Sequence, residues 1–188
     1  MPQPELFVFF GLIATGKSTL AQAWASRNGL GYHNSDVVRK ELAGLAPTAS
    51  QRDSVDQGIY RREFTEKTYA ALLARARQDL LAGRGTVLDA SYQNRADREA
   101  VRTLARSLGV RVYFILCVCP EEEMKRRMAE RALDPSAVSD GRWEIYLQQK
   151  ERFQAPAELP EGTIFTVSTA PAVDAILKTL TALLEAPA

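Results

Sequence analysis

Histidine is almost missing from this chain, which has one His and two Cys in 188 residues. The scarcity excludes most zinc centres, because Cys117 and Cys119 find no further Cys or His to complete a ligand set. Two residues apart is also too short for a relaxed disulfide. In a strand this spacing puts both thiols on one face with Val118 on the other. The expectation is a pair of buried core cysteines in a reducing compartment. Long apolar runs are missing too: nothing reaches the ~18–20 consecutive apolar residues of a membrane span. The opening MPQPELFVFF has no basic stretch before its apolar run and does not read as a signal peptide, so cytoplasm is the expected location. An excess of one charge is absent as well. Lys and Arg number 24 against 23 Asp and Glu, a formal charge of +1. Whole-molecule attraction to nucleic acid or anionic membrane should be weak, though a local basic site is allowed.

What is present suits one domain with one sizeable core, since 46% of the residues are hydrophobic. Five short apolar runs read as strands: Leu6 to Phe10, Gly31 to Asn34, Thr86 to Leu88 closing on Asp89, Arg111 to Cys119, and TIFTVST. Helical periodicity fills the stretches between and after them, over residues 17–28, 37–43, 64–82, 96–107, from Pro120 onward, through Trp143 to Lys150, and at the C-terminal end. Strands alternating with helices predict an α/β fold, a parallel sheet covered on both faces. GLAPTASQRDSVDQG is the least regular part and reads as a loop.

One stretch carries chemistry outright. Gly11-Leu12-Ile13-Ala14-Thr15-Gly16-Lys17-Ser18 fits G-x-x-x-x-G-K-S/T, after a predicted strand and at the start of a predicted helix. Its glycines let successive N–H groups converge on one anion, and the helix N-terminus adds its dipole. Lys17 extends to the β and γ phosphates, Ser18 is placed to hold Mg²⁺, and Thr19 adds a phosphate contact. This predicts a nucleoside triphosphate site. No N/T-K-x-D segment is present to read a guanine base, and the chain is too short for a large ATP motor, which leaves a small phosphotransferase.

A transferase must also place an acceptor hydroxyl near the γ-phosphate. Asp36 follows the second strand, at the carboxyl edge where open sheets collect their sites. It reads as the acid that orients and deprotonates the acceptor, or as the N-cap of the next helix. Arg39 lies three residues on, near enough to help hold an acceptor. Asp89 ends the third strand, where an acid reaches Mg²⁺ or its waters. Arg127 and Arg131, four apart on EEEMKRRMAERALD, read as cations that close over the phosphates; the alternative is a solvated helix face.

The segments GLIATGKST, NSDVVRKEL, GRGTVLDASYQNRADR, CPEEEMKRRMAER and YLQQKERFQAP together resemble the small P-loop kinases. That group includes polynucleotide kinase, gluconate and shikimate kinases, chloramphenicol phosphotransferase and zeta-type toxins. More closely, the chain is similar to AAA-type kinase domains that also occur fused behind aminoglycoside-phosphotransferase-like domains. The resemblance implies ATP and Mg²⁺, with a five-stranded sheet in the order 2-3-1-4-5. It also implies one domain over residues 1–188 with a lid at about 121–145. By it Asp36 activates the acceptor, Arg39 contacts it, Asp89 serves the metal, and Ser91 is a polar neighbour where relatives have Thr. Arg98 becomes an acceptor or phosphate contact, and Arg127 and Arg131 the lid pair. Asn34 departs from the shikimate kinase pattern, which has Asp there.

The acceptor stays open at this point. A small polar molecule is expected ahead of a 5′-hydroxyl end of RNA or DNA, which the balanced charge disfavours. Arg52, Arg61 and Arg62 with Tyr60 and Phe64 could still form a strand-end site. An ATP-holding switch without transfer is the third reading, and Asp36 together with Asp89 argues against it.

Overall fold

A computed structural model describes residues 3–46, 62–132 and 143–185. Five strands form a single sheet in the order β2-β3-β1-β4-β5, every pair parallel. They are β1 (Glu5–Phe10), β2 (Gly31–Asn34), β3 (Thr86–Asp89), β4 (Arg111–Val118) and β5 (Ile164–Ser168). Between and after them run α1 (Lys17–Asn28), α2 (Ser35–Leu42), α3 (Arg62–Leu81), α4 (Arg95–Leu108), α5 (Glu121–Ala132), α6 (Trp143–Arg152) and α7 (Val173–Glu185). The predicted class and strand order are both found.

β1 shows why its sequence is apolar throughout. Side chains alternate across a strand, and Leu6, Val8 and Phe10 enter one core layer with Leu72 of α3 and Val101 of α4. Phe7 and Phe9 enter the other, with Leu20 and Trp24 of α1 and Leu177 of α7. A third, smaller cluster joins Met124 and Met128 of α5 and Tyr146 of α6 to Ile13 and Ala14.

Local signals set the helix ends. Gly29 and Gly109 close α1 and α4 in the left-handed conformation. α2 is capped by Asn34, whose side chain accepts from the N–H groups of Asp36 and Val37 at 2.9 and 3.1 Å. The capping alternative for Asp36 therefore falls to its neighbour two residues earlier. The cysteine expectation needs one correction. Cys117 is buried in β4, its thiol pushed up to about 12 by burial. β4 ends at Val118, so Cys119 lies beyond the strand, half-buried beside the third cluster.

Candidate active site

The segment after β1 turns back on itself through three unusual backbone angles. Gly11 has φ 137, Ala14 φ 60 and Gly16 φ 81. Glycine is required at both ends by close approach as well. A Cβ on Gly11 would come within 2.5 Å of the Cys117 carbonyl oxygen, and one on Gly16 within 2.7 Å of Arg127 Nη1. Thr15 is buried, its Oγ1 donating to the Leu12 carbonyl at 2.8 Å, which ties the turn internally. Lys17 and Ser18 open α1, whose first turn holds no acid. The positive end of that helix is therefore free for an anion.

These groups face a cleft of about 690 Å³ at the carboxyl edge of the sheet. Lys17, Ser18, Asp36, Arg39 and Ser91 all line it. Asp36 sits in the first turn of α2; burial pushes its carboxyl above the usual value, opposed by the charges of Lys17 and Arg39. Arg39 is buried and donates from Nη1 to Thr65 Oγ1 at 3.1 Å. Arg62 stands at the cleft mouth, while Arg52, Tyr60 and Arg61 lie outside the described residues.

Asp89 is fully buried at the end of β3. Its Oδ2 accepts from Tyr32 at 2.7 Å and from Asn34 Nδ2 at 2.6 Å. The same Asn34 amide lies 3.4 Å from Ser18 Oγ. Among the described residues, Oδ1 of Asp89 is buried with no hydrogen-bond partner. A buried carboxylate linked through the Asn34 amide to a serine hydroxyl suits a hard cation. Mg²⁺ takes only one or two protein oxygens and completes its shell with water and phosphate. Ser18 and Asp89 fit that need.

Asn34, Tyr32 and Gln149 were not singled out by sequence reasoning. Gln149 of α6 accepts the Ile13 N–H at 2.8 Å, so the far wall touches the loop directly. Asn34 had a usable signal, because an Asx residue shortly before a predicted helix is a candidate cap, although the helix starts at Ser35 and not at Val37 as the periodicity predicts. The other two reach the site only through tertiary packing.

Three expected residues are placed elsewhere. Arg98 does not line the cleft; its side chain is 0% exposed and pairs with Glu158 at 2.6 Å. It also donates to the carbonyls of Tyr92 and Gln93 at 2.8 and 3.2 Å, so it braces the β3–α4 turn from behind. Burial alone would raise Glu158, but the Arg98 hydrogen bond holds it below the usual carboxylate value. Thr19 and Arg127 border a separate hollow of about 490 Å³ on the other side of Gly16. There Arg127 donates to Thr169 Oγ1 at 3.1 Å and to the Thr169 carbonyl at 2.7 Å. Arg131 belongs to α5 by backbone, but its side chain lies outside the described residues, as do residues 133–142 of the expected lid.

Comparison with known proteins bears on the family and the fold. Residues 6–156 match the family described as AAA domain. Uncharacterized proteins of Mycobacterium tuberculosis and Mycobacterium bovis are 29% identical over 118 residues, 63% of this chain. The chain spans about a quarter of the length of these curated relatives, the matched part being 24% of each. Among solved structures, a sugar kinase from Janibacter superposes with a TM-score of 0.70 at 18% identity, covering 98% of this chain and 95% of that one. A gluconokinase from Sinorhizobium meliloti gives 0.64 at 19%, covering 97% and 91%. An APS kinase from Mycobacterium tuberculosis, solved with AMPPNP and APS, gives 0.62 at 18%, covering 99% and 100%. The fold is that of the P-loop kinases.

Proposed function

Because the chain belongs to the AAA domain family and has the fold of P-loop kinases, we propose that it is an ATP-dependent phosphotransferase. It would move the γ-phosphate to a hydroxyl of a small polar acceptor. The observation that carries this is the shared cleft: Lys17 and Ser18 of the phosphate loop line it together with Asp36. An ATPase switch needs the first two and has no use for a raised carboxyl facing them.

In this reading the loop N–H groups and the α1 N-terminus hold the phosphates, and Lys17 neutralises charge that grows in transfer. Ser18 and Asp89 would hold Mg²⁺, which would supply charge to screen the phosphate oxygens. Asp36 orients the acceptor hydroxyl and takes its proton as the new O–P bond forms and ADP leaves. Arg39 and Ser91 steady the acceptor. Arg127, with Arg131 one turn further along α5, answers for closure over the nucleotide. The domain would work in the cytoplasm as part of a longer protein, as the length of its relatives suggests. Among the described residues no helix is long and apolar enough to cross a membrane.

A phosphate-transfer screen with γ-labelled ATP tests the proposal. Its acceptors are D-glucose, D-gluconate, xylitol, kanamycin and a 5′-hydroxyl oligonucleotide. Label should pass to a small hydroxyl compound. Label on the oligonucleotide alone would support the strand-end reading, and hydrolysis with no labelled product would support the switch.

A further inference from the structure

Tyr69 of α3 is given no part by the reading above, yet it stands in the cleft wall. Its ring is edge-on to Tyr92, with centroids 5.0 Å apart. Its hydroxyl accepts from the Tyr92 N–H at 3.2 Å and lies 3.2 Å from Ser91 Oγ. The Tyr92 N–H takes one lone pair of the phenol, and with the phenol proton given to Ser91 the Tyr69 hydroxyl is partnered both as acceptor and as donor. Gln93 Nε2 donates to the same Ser91 oxygen at 3.1 Å. Two incoming hydrogen bonds fill both lone pairs of a hydroxyl. Ser91 is left with its own proton to give, and the open side is the cleft.

We propose that Tyr69 is a positioning residue for phosphoryl transfer: its hydroxyl fixes the Ser91–Gln93 turn and commits the Ser91 hydroxyl to donate to an oxygen of the acceptor. The inference rests on the kinase reading. The turn needs fixing, because Tyr92 has φ 41, a region that aromatic residues rarely adopt. Burial raises the Tyr69 phenol above its ordinary value, although the Ser91 and Tyr92 hydrogen bonds oppose this, so the proton is retained near neutral pH. Ser91 lines the same cleft as Thr65, Gln93 and Asp97, and this polar lining beyond the phosphate loop suits an acceptor with hydroxyl oxygens.

The test uses the acceptor from the screen above that takes most label. Tyr69→Phe keeps the ring and removes the hydroxyl. It should raise the acceptor KM about tenfold, the weight of one neutral hydrogen bond, with kcat and the Kd for ATP nearly unchanged. Ser91→Ala should do the same, and the double variant no more than either alone. Gln93→Glu, of equal size, can only accept from Ser91; it should draw the proton off the cleft and raise KM likewise. An unchanged acceptor KM in Tyr69→Phe overturns the inference. So does a loss confined to ATP affinity, or lower activity explained wholly by a smaller folded fraction. A parent protein that labels none of the five acceptors overturns the kinase reading and this inference with it. A parent that transfers while Tyr69→Phe matches it overturns the inference alone.

Discussion

The cleft wall built from the ends of β2 and β3 is tied by hydrogen bonds onto a buried carboxylate, whereas the wall built from α5 and α6 rests mainly on a small apolar cluster and surface ion pairs. Gln149 and Arg127 add hydrogen bonds to the loop and to Thr169. On the first wall, Asn34 alone caps α2, binds Asp89 and approaches Ser18. Loosening any one of these leaves a buried polar group unsatisfied. On the second, Met124, Met128 and Tyr146 meet Ile13 and Ala14. Around them Arg126 pairs with Glu123 and Glu130, and Lys150 with Glu121, all at exposed or half-exposed positions. Exposed pairs of this kind contribute about 0–1 kcal/mol each. Among the described residues neither helix packs broadly against a strand. The fixed wall holds the groups that need fixed distances, and the lightly held wall is the one able to yield when substrate enters.

Substitutions on the fixed wall should therefore cost activity far more than stability. Lys17→Ala carries the largest expected effect, a fall in phosphate transfer of about 10³-fold or more, with an unchanged unfolding midpoint. Transfer near the parent rate with Mg²⁺-ATP would remove the loop from the chemistry. Asp36→Asn should lower transfer by about 10²- to 10⁴-fold while ATP still binds. Its pH behaviour sharpens the point. Burial raises the Asp36 carboxyl above 3.8, so the folded protein holds this proton more tightly than the unfolded chain. Its contribution to stability thus declines as pH rises from about 4 through the raised folded value, while the ionised base that transfer needs accumulates over the same window. The Asn variant should lose both slopes. Its Tm should exceed the parent's at neutral pH, and the gap should close below pH about 4. A Tm below the parent's at neutral pH would assign Asp36 to structure.

Arg98→Ala reverses the pattern. It leaves Glu158 buried without its partner, so stability should fall by about 3–5 kcal/mol. The folded fraction, measured by active-site titration with a labelled ATP analogue, should retain much of its kcat. A large fall in kcat per folded molecule would return Arg98 to direct substrate contact, as the sequence had suggested.

The contrast between the walls also marks what could be read in advance. The alternation of strands with helices and the phosphate loop were legible because each rests on local pattern: the two-sided apolar β1, the glycines at 11 and 16, the basic residue opening α1. The strand order came with the family resemblance. Asp36 and Arg39 were legible through their place after a strand end and Ser91 through the resemblance, and the structure brings all three to the cleft. Arg98 was given an acceptor or phosphate contact by the resemblance alone, and nothing local announces Glu158 sixty positions away. Tyr32, Tyr69 and Gln149 could not be found at all. A tyrosine in an apolar pattern reads as core, and only the packed chain shows where its hydroxyl ends.

The smallest effect is expected on the yielding wall. Leu72, fully buried between β1 and the helices on that face, belongs to the main core, and Leu72→Ala should cost about 2–5 kcal/mol of global stability. Met128 is nearly as buried, at 8% exposure, but its neighbours are confined to the third cluster. If α5 and α6 open as a unit before the sheet unfolds, Met128→Ala removes contacts that are already lost in that opened state. Where denaturant has already populated that opened state, the midpoint followed at the sheet should shift by the equivalent of less than about 1 kcal/mol. The cost should appear instead in native-state hydrogen exchange. Amides of α5 and α6 should exchange at least about tenfold faster than in the parent, tenfold being about 1.4 kcal/mol of opening free energy, and in both proteins they should exchange faster than those of β1 and β4. Equal protection of the strands and of α5 in both proteins would show that the lid and the sheet unfold together, and the two walls would then differ in chemistry but not in stability.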